Sequence, residues 1–136
     1  MAKRTPEPVI LLAEDHVPLL RNLAFLLTIA GYEVITAGNG LEALNALKKR
    51  TPDLIISDID MPCMNGFELL GRVRASQSHR TVPFVFISDR YGLEDITRSL
   101  DLGADDYVPK PFDLNDVLHA VDRLLPRIAG KLKDTA

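Results

Sequence analysis

Leu54-Ile55-Ile56-Ser57-Asp58 is an aliphatic run that ends abruptly on an acid. A short apolar run without polar alternation fits a strand covered on both faces, as in a parallel sheet. Thr51-Pro52 breaks the chain before it, and a loop with Pro62 and Gly66 follows. Outward from this segment, the pattern repeats. Val9-Ile10-Leu11-Leu12-Ala13 is equally aliphatic and stops at Glu14-Asp15, while Pro83 to Ser88 is the most apolar run and stops on a hydroxyl. Tyr32 to Ala37 and the short Asp106 to Val108 complete the strands.

Helical periodicity fills the intervals. Leu19, Leu23, Leu26, Leu27 and Ala30 fall on one stripe closed by Gly31. After the turn Gly38-Asn39-Gly40, Leu41, Leu44 and Leu47 are expected to face inward along a helix reaching about Arg50. Phe67, Leu70 and Val73 mark a third helix; Leu93 to Leu102, closed by Gly103, is a fourth with a weaker stripe. Leu114, Val117, Val121 and Leu124 mark the last, with Pro126 as its stop. Such alternation implies a parallel sheet with helices on both faces, because each crossover must return right-handed.

Composition narrows the function. A chain of 136 residues suits one domain, and 46% hydrophobic with 26% charged residues is an ordinary globular balance. Aromatic residues are 6% and Trp is absent, which argues against stacking platforms for single-stranded nucleic acid. The net charge of −3 gives no electrostatic case for direct DNA binding or for an anionic membrane. The single Cys63 excludes an intramolecular disulfide and a Cys-rich zinc site. No apolar run approaches a membrane span, and Met1 to Pro6 lacks the long apolar stretch of an export signal. The expected setting is cytoplasmic. Residues 1–7 are read as a flexible tail, 8–126 as the domain, and 127–136 as a tail or linker stub beginning with the basic Arg127 to Lys133 stretch.

Ligands of open parallel sheets bind outside the carboxyl ends of the strands, near the point where strand order reverses. Those ends carry Glu14 and Asp15, Asp58, Ser88 and, just after the fifth strand, Lys110. None is apolar, so core packing does not account for them. Three carboxylates together carry about −3, costly in a cleft without a cation. Oxygen ligands without His or Cys select a hard ion, and Mg²⁺ suits a site that keeps several waters. A metal-held carboxylate beside an amine and a hydroxyl is what phosphoryl transfer needs.

From about Val9 to Leu125 the sequence resembles the receiver domain of two-component response regulators. The motifs that carry the resemblance are Leu12-Ala13-Glu14-Asp15, Ser57 through Gly66 (Ser-Asp-Ile-Asp-Met-Pro-Cys-Met-Asn-Gly), Phe86-Ile87-Ser88 and Gly103 through Phe112. It implies a flavodoxin-like, doubly wound α/β/α fold with five parallel strands in the order 2-1-3-4-5. It further implies Asp58 as phosphoacceptor, receiving its phosphoryl group from the phosphohistidine of a sensor histidine kinase or phosphotransfer protein. Glu14, Asp15, Asp58 and the backbone carbonyl of Asp60 would hold Mg²⁺, with Mn²⁺ as a substitute. Lys110 would contact a phosphoryl oxygen. Ser88 would move to another, and Tyr107 would change rotamer with it, reshaping the face of the fourth helix, fifth strand and fifth helix. The family also has a cis bond at the place of Lys110-Pro111.

Asp89 departs from the family, where a small residue is usual, and Arg90 is expected to reach Asp60 across the mouth of the site. Asp89, Arg90 and Asp60 are therefore expected to tune the lifetime of the aspartyl phosphate. His16 is read as opening the first helix rather than binding metal, His79 and His119 as surface residues, and Cys63 as an exposed loop residue without a redox role. The output partner or domain is not legible. Homodimerisation through the face carrying Asp101, Asp105, Asp106 and Arg123 is an expectation.

The reading is of a switch with self-catalysed phosphoryl transfer and autodephosphorylation only, not of a turnover enzyme. Asp58-Ile59-Asp60 also resembles the nucleophile motif of haloacid-dehalogenase-type phosphatases, although that family places it on an early strand and usually adds a cap domain. A flavodoxin-like FMN carrier is disfavoured because Glu14-Asp15 would repel its phosphate. A receiver relic that binds partners without phosphorylation is the remaining alternative.

Overall fold

The computed structural model describes residues 6–90 and 92–125. Five strands, β1 (Val9–Ala13), β2 (Glu33–Ala37), β3 (Leu54–Asp58), β4 (Phe84–Ser88) and β5 (Asp106–Pro109), alternate with α1 (Val17–Ile29), α2 (Gly40–Lys49), α3 (Gly66–Ala75), α4 (Leu93–Asp101) and α5 (Leu114–Leu124). All four strand pairings are parallel, in the order β2-β1-β3-β4-β5. This is the expected doubly wound sheet.

Every residue of β1, β3 and β4 is buried, as a strand flanked by two others and covered on both faces must be. Successive side chains enter opposite layers. Leu11, Ile55, Phe84 and Phe86 pack with Ala43, Leu47, Phe67, Leu69, Leu70 and Val73 from α2 and α3. Ile10, Leu12, Ile56, Val85 and Ile87 pack with Leu23, Leu27, Val117, Ala120 and Val121 from α1 and α5. The edge strands β2 and β5 are only partly buried; an edge also tolerates Pro109, which extends the fifth strand one residue beyond the expected Val108.

Two inward assignments are corrected. Leu41 is 46% exposed: α2 begins at Gly40 under the Asn39 cap, whose Oδ1 accepts the Glu42 N–H at 2.9 Å, and this phase turns Ala43 and Leu47 to the core instead. Ala30 is exposed because α1 has already ended at Ile29, and the chain turns at Gly31 with φ +107°. His79 lies half-buried at the surface, its Nδ1 3.3 Å from Thr51 Oγ1. Pro126 and the stretch Arg127 to Lys133 lie outside the described residues. No helix among the described residues is long and apolar enough to cross a membrane.

α4 is the least anchored helix. It buries only Ser99, and it leaves Leu93 78% and Leu100 51% exposed. Arg98 nevertheless stacks over the Phe67 ring, 4.2 Å from its centroid. Below α4, Arg74 donates to the Gly103 and Val82 carbonyls at 2.7 Å each and to Asp105 Oδ2 at 3.1 Å. Sparse apolar burial makes α4 the element most easily displaced.

Tyr32 supplies a pH-dependent part of the stability. It is 3% exposed, and its hydroxyl lies 3.5 Å from Asp122 Oδ1 on α5. Burial, then the Asp122 charge, pushes the phenol from 10.0 up to about 12. Between those values the unfolded chain has lost this proton while the folded chain keeps it, so stability falls as pH rises through the window. The shift corresponds to a loss of about 2–3 kcal/mol by about pH 12. Urea midpoints should show this decline in the parent and a shallower one in Tyr32→Phe. Equal slopes in the two would refute it.

Candidate functional site

β1, β3 and β4 end side by side in register, and their carboxyl ends bring Glu14, Asp58 and Ser88 to one edge. Glu14 follows β1 directly; its backbone N–H donates to the Ala37 carbonyl at 3.0 Å, and its side chain is fully buried. Glu14 Oε2 accepts the His16 N–H at 3.1 Å. His16 itself is exposed and opens α1 from the N-cap position, as expected, without a side-chain capping bond.

Both oxygens of Asp58 are oriented. Oδ1 accepts the Ile59 N–H at 2.7 Å, and Oδ2 accepts from Lys110 Nζ at 3.0 Å. The same ammonium donates to Glu14 Oε1 at 2.8 Å. Lys110 is placed by its own N–H, which donates to the Ser88 carbonyl at 2.7 Å as the chain leaves β5, and the Lys110-Pro111 bond is cis. Burial would lower the Lys110 ammonium, but the hydrogen bonds to Glu14 and Asp58 outweigh it and its pKa is raised.

Asp15 is exposed beside this pair. One carboxylate oxygen from each of Glu14, Asp15 and Asp58 lies within 4.8 Å of the others. Three acids thus face one ammonium, and burial together with the Asp58 charge pushes Glu14 up to about 7 even against Lys110. An all-oxygen donor set with surplus negative charge fits a hard divalent cation.

Asp60 does not join this cluster with its side chain. Its carboxylate takes a bidentate grip from Arg90, Nε to Oδ2 at 2.9 Å and Nη2 to Oδ1 at 2.7 Å, as the sequence predicts. The Arg90 hydrogen bonds hold Asp60 below the usual carboxylate range. Ser88 is fully buried, and its Oγ accepts the Arg90 N–H at 3.1 Å. Tyr107 is half-buried and its hydroxyl donates to the Arg90 carbonyl; burial raises its pKa. Asp89 is exposed.

Three features escaped the sequence reading. Arg90 Nη1 also reaches Asp95 Oδ1 at 3.2 Å in the first turn of α4; the signal was an acid at a helix start close after the arginine. Cys63 is exposed as expected but has φ +70°, inside a tight turn in which the Met64 N–H donates to the Pro62 carbonyl at 2.7 Å. Of the expected dimer-face charges, Asp106 pairs with Arg123 and Asp105 with Arg74 within the chain.

Comparison with known proteins agrees with this architecture. Residues 10–122 match the response regulator receiver domain. The transcriptional regulatory protein KdpE of Mycobacterium tuberculosis is 40% identical over 110 residues, 81% of this chain and 47% of that protein. PrrA from the same organism is 37% identical over 120 residues, 88% of this chain and 51% of its own length. The chain spans about half the length of the curated relatives it matches. Among solved structures, the chemotaxis response regulator CheY4 of Vibrio cholerae aligns with a TM-score of 0.83 at 32% identity, covering 88% of this chain and 100% of that one. A signal receiver domain of a histidine kinase from Syntrophus aciditrophicus gives 0.82 at 35% identity, covering 89% and 92%.

Proposed function

Because this chain belongs to the response regulator receiver domain family, we propose that it is a phosphorylation-dependent switch with Asp58 as phosphoacceptor. The observation that carries the reading is the aimed carboxylate: Oδ1 tied to the Ile59 N–H and Oδ2 to Lys110 Nζ, next to Glu14 and Asp15. In this reading an Asp58 oxygen attacks the phosphorus of a phosphohistidine in line, and the imidazole nitrogen leaves. Glu14, Asp15, Asp58 and the main-chain carbonyl of Asp60 would hold Mg²⁺, or Mn²⁺ in its place, which offsets charge on the transferring phosphoryl group. Lys110, already on Asp58, would move its ammonium to a phosphoryl oxygen. Ser88 would turn its hydroxyl to another, and Tyr107 would follow because both touch Arg90.

The direct test is mass spectrometry after incubation with acetyl phosphate. One phosphoryl group per chain, dependent on a divalent ion and removed by chelation, is the expected result. Sustained turnover of a generic phosphate ester would instead favour the phosphatase alternative. Against that alternative, Asp60 is gripped by Arg90 and held in its charged form, which suits a general acid poorly.

Asp89, Arg90 and Asp60 are proposed to set the lifetime of the phosphate. Decay of the phosphorylated species should change by roughly 3- to 10-fold in Asp89→Ala or Arg90→Ala, in keeping with charges placed at a mouth rather than in the reaction. Rates within error of the parent in both variants would remove the proposal.

Residues 8–126 would form the receiver unit, with 1–7 and 127–136 flanking it, in a cytoplasmic setting. A histidine kinase or phosphotransfer protein would supply the phosphoryl group, and a target or output domain would read the α4-β5-α5 face. Homodimerisation through that face is a further proposal, read by sedimentation with and without beryllofluoride.

A further inference from the structure

We propose that Arg90 is a positioning residue that carries the state of Asp58 to α4. The inference rests on the switch reading and names the link through which the switch would reach that helix. Contacts with four residues converge on this one residue. Its guanidinium holds Asp60 bidentately at 2.7 and 2.9 Å, in the loop that leaves β3, and holds Asp95 at 3.2 Å, in the first turn of α4. Its N–H donates to Ser88 Oγ at 3.1 Å, and its carbonyl accepts the Tyr107 hydroxyl. The groups expected to respond to phosphorylation therefore meet α4 through Arg90.

Exposure weighs against a large contribution to stability. The Arg90, Asp60 and Asp95 side chains are 41%, 54% and 28% exposed, and exposed ion pairs stabilise little. Connection is a different matter. α4 buries one residue and has few apolar contacts to fix its position, so a polar tie at its first turn has leverage that it would lack on a well-packed helix.

The ties are unequal. The Asp60 grip is a two-bond fork, whereas the Asp95 contact is a single bond at the long end of the hydrogen-bond range. A phosphoryl group on Asp58 adds negative charge on the Asp60 side of the guanidinium. Movement of Ser88 toward it draws on the Arg90 main chain as well. Both effects pull Arg90 toward the mouth of the site, so the Asp95 bond yields first and the start of α4 is released.

The test is amide chemical-shift mapping of the full chain with Mg²⁺ and saturating beryllofluoride, which stands in for the phosphoryl group. In the parent, changes around Asp58 should be accompanied by changes from Asp95 to Ser99. In Asp95→Ala the changes around Asp58 should persist, while those in α4 shrink at least about two-fold. Arg90→Ala should do the same. Arg90→Lys should behave like Arg90→Ala, because an ammonium cannot grip Asp60 in a fork and reach Asp95 at once. Parent-sized α4 changes in both Asp95→Ala and Arg90→Ala would overturn the inference, and either variant suffices if the other does not fold. An absence of changes around Asp58 in the parent would overturn the switch reading itself, and this inference with it.

Discussion

Asp58→Asn should reduce phosphoryl incorporation from acetyl phosphate to background, a loss of at least about a thousandfold, or ~4 kcal/mol of barrier. Two effects act together. A carboxamide is a far weaker nucleophile than the carboxylate it replaces, and neither Glu14 nor Asp60 is placed to substitute for it. Glu14 is fully buried and already bonded to Lys110 and His16, while the Asp60 carboxylate is turned to Arg90. The substitution also disturbs the pocket. Asn can still accept the Ile59 N–H with its oxygen, but its amide nitrogen then faces the Lys110 ammonium, donor against donor. Labelling should be compared in radioactive donor at equal protein, with circular dichroism to establish that the variant is folded. Undiminished incorporation in Asp58→Asn would end the phosphoacceptor assignment.

The second large effect concerns the fold. Gly66→Ala should cost about 3 kcal/mol or more. A Cβ at this position would lie 2.2 Å from the Asp58 carbonyl oxygen, 2.8 Å from Phe86 Cε1 and 2.9 Å from the Ile59 Cα. Two of those atoms are backbone and cannot swing aside. The Gly66 N–H meanwhile donates to the Ile59 carbonyl at 2.7 Å, which holds the first turn of α3 against the end of β3. The glycine is needed for space rather than for an unusual φ. Gly71 provides the contrast within the same helix. A Cβ there would meet nothing within 4 Å, so Gly71→Ala should stabilise by about 0.5–1 kcal/mol through helix propensity. Urea midpoints of the two variants should therefore move in opposite directions. A Gly66→Ala midpoint within error of the parent would refute the steric account.

Much of the fold was legible because the central strands leave no polar alternation to misread. Val9 to Ala13 and Leu54 to Asp58 emerge with the boundaries the sequence suggests, and Gly31 and Gly103 end their helices at positive φ. The site was legible for a related reason: a polar residue that ends or follows a buried aliphatic run has only the sheet edge to occupy. Glu14, Asp58, Ser88 and Lys110 follow from that rule, and so does the Asp60–Arg90 pair once the two loops are placed together.

Orientation was harder to read. Leu41 looks inward on a leucine count, but the start of the helix at Gly40 rotates it to solvent. The Asp95 contact depends on how far an arginine side chain extends, which periodicity does not encode. Cys63 carries no marker of its left-handed backbone, because the conformation is imposed by the tight turn around it and not by its own preference.

Lys110 lies 96 positions along the chain from Glu14 and 52 from Asp58. A nascent polypeptide emerging from the ribosome therefore presents its acids long before their counter-charge has been synthesised. The counter-charge arrives only after the fifth strand, so a prematurely terminated translation product would carry uncompensated negative charge at this edge.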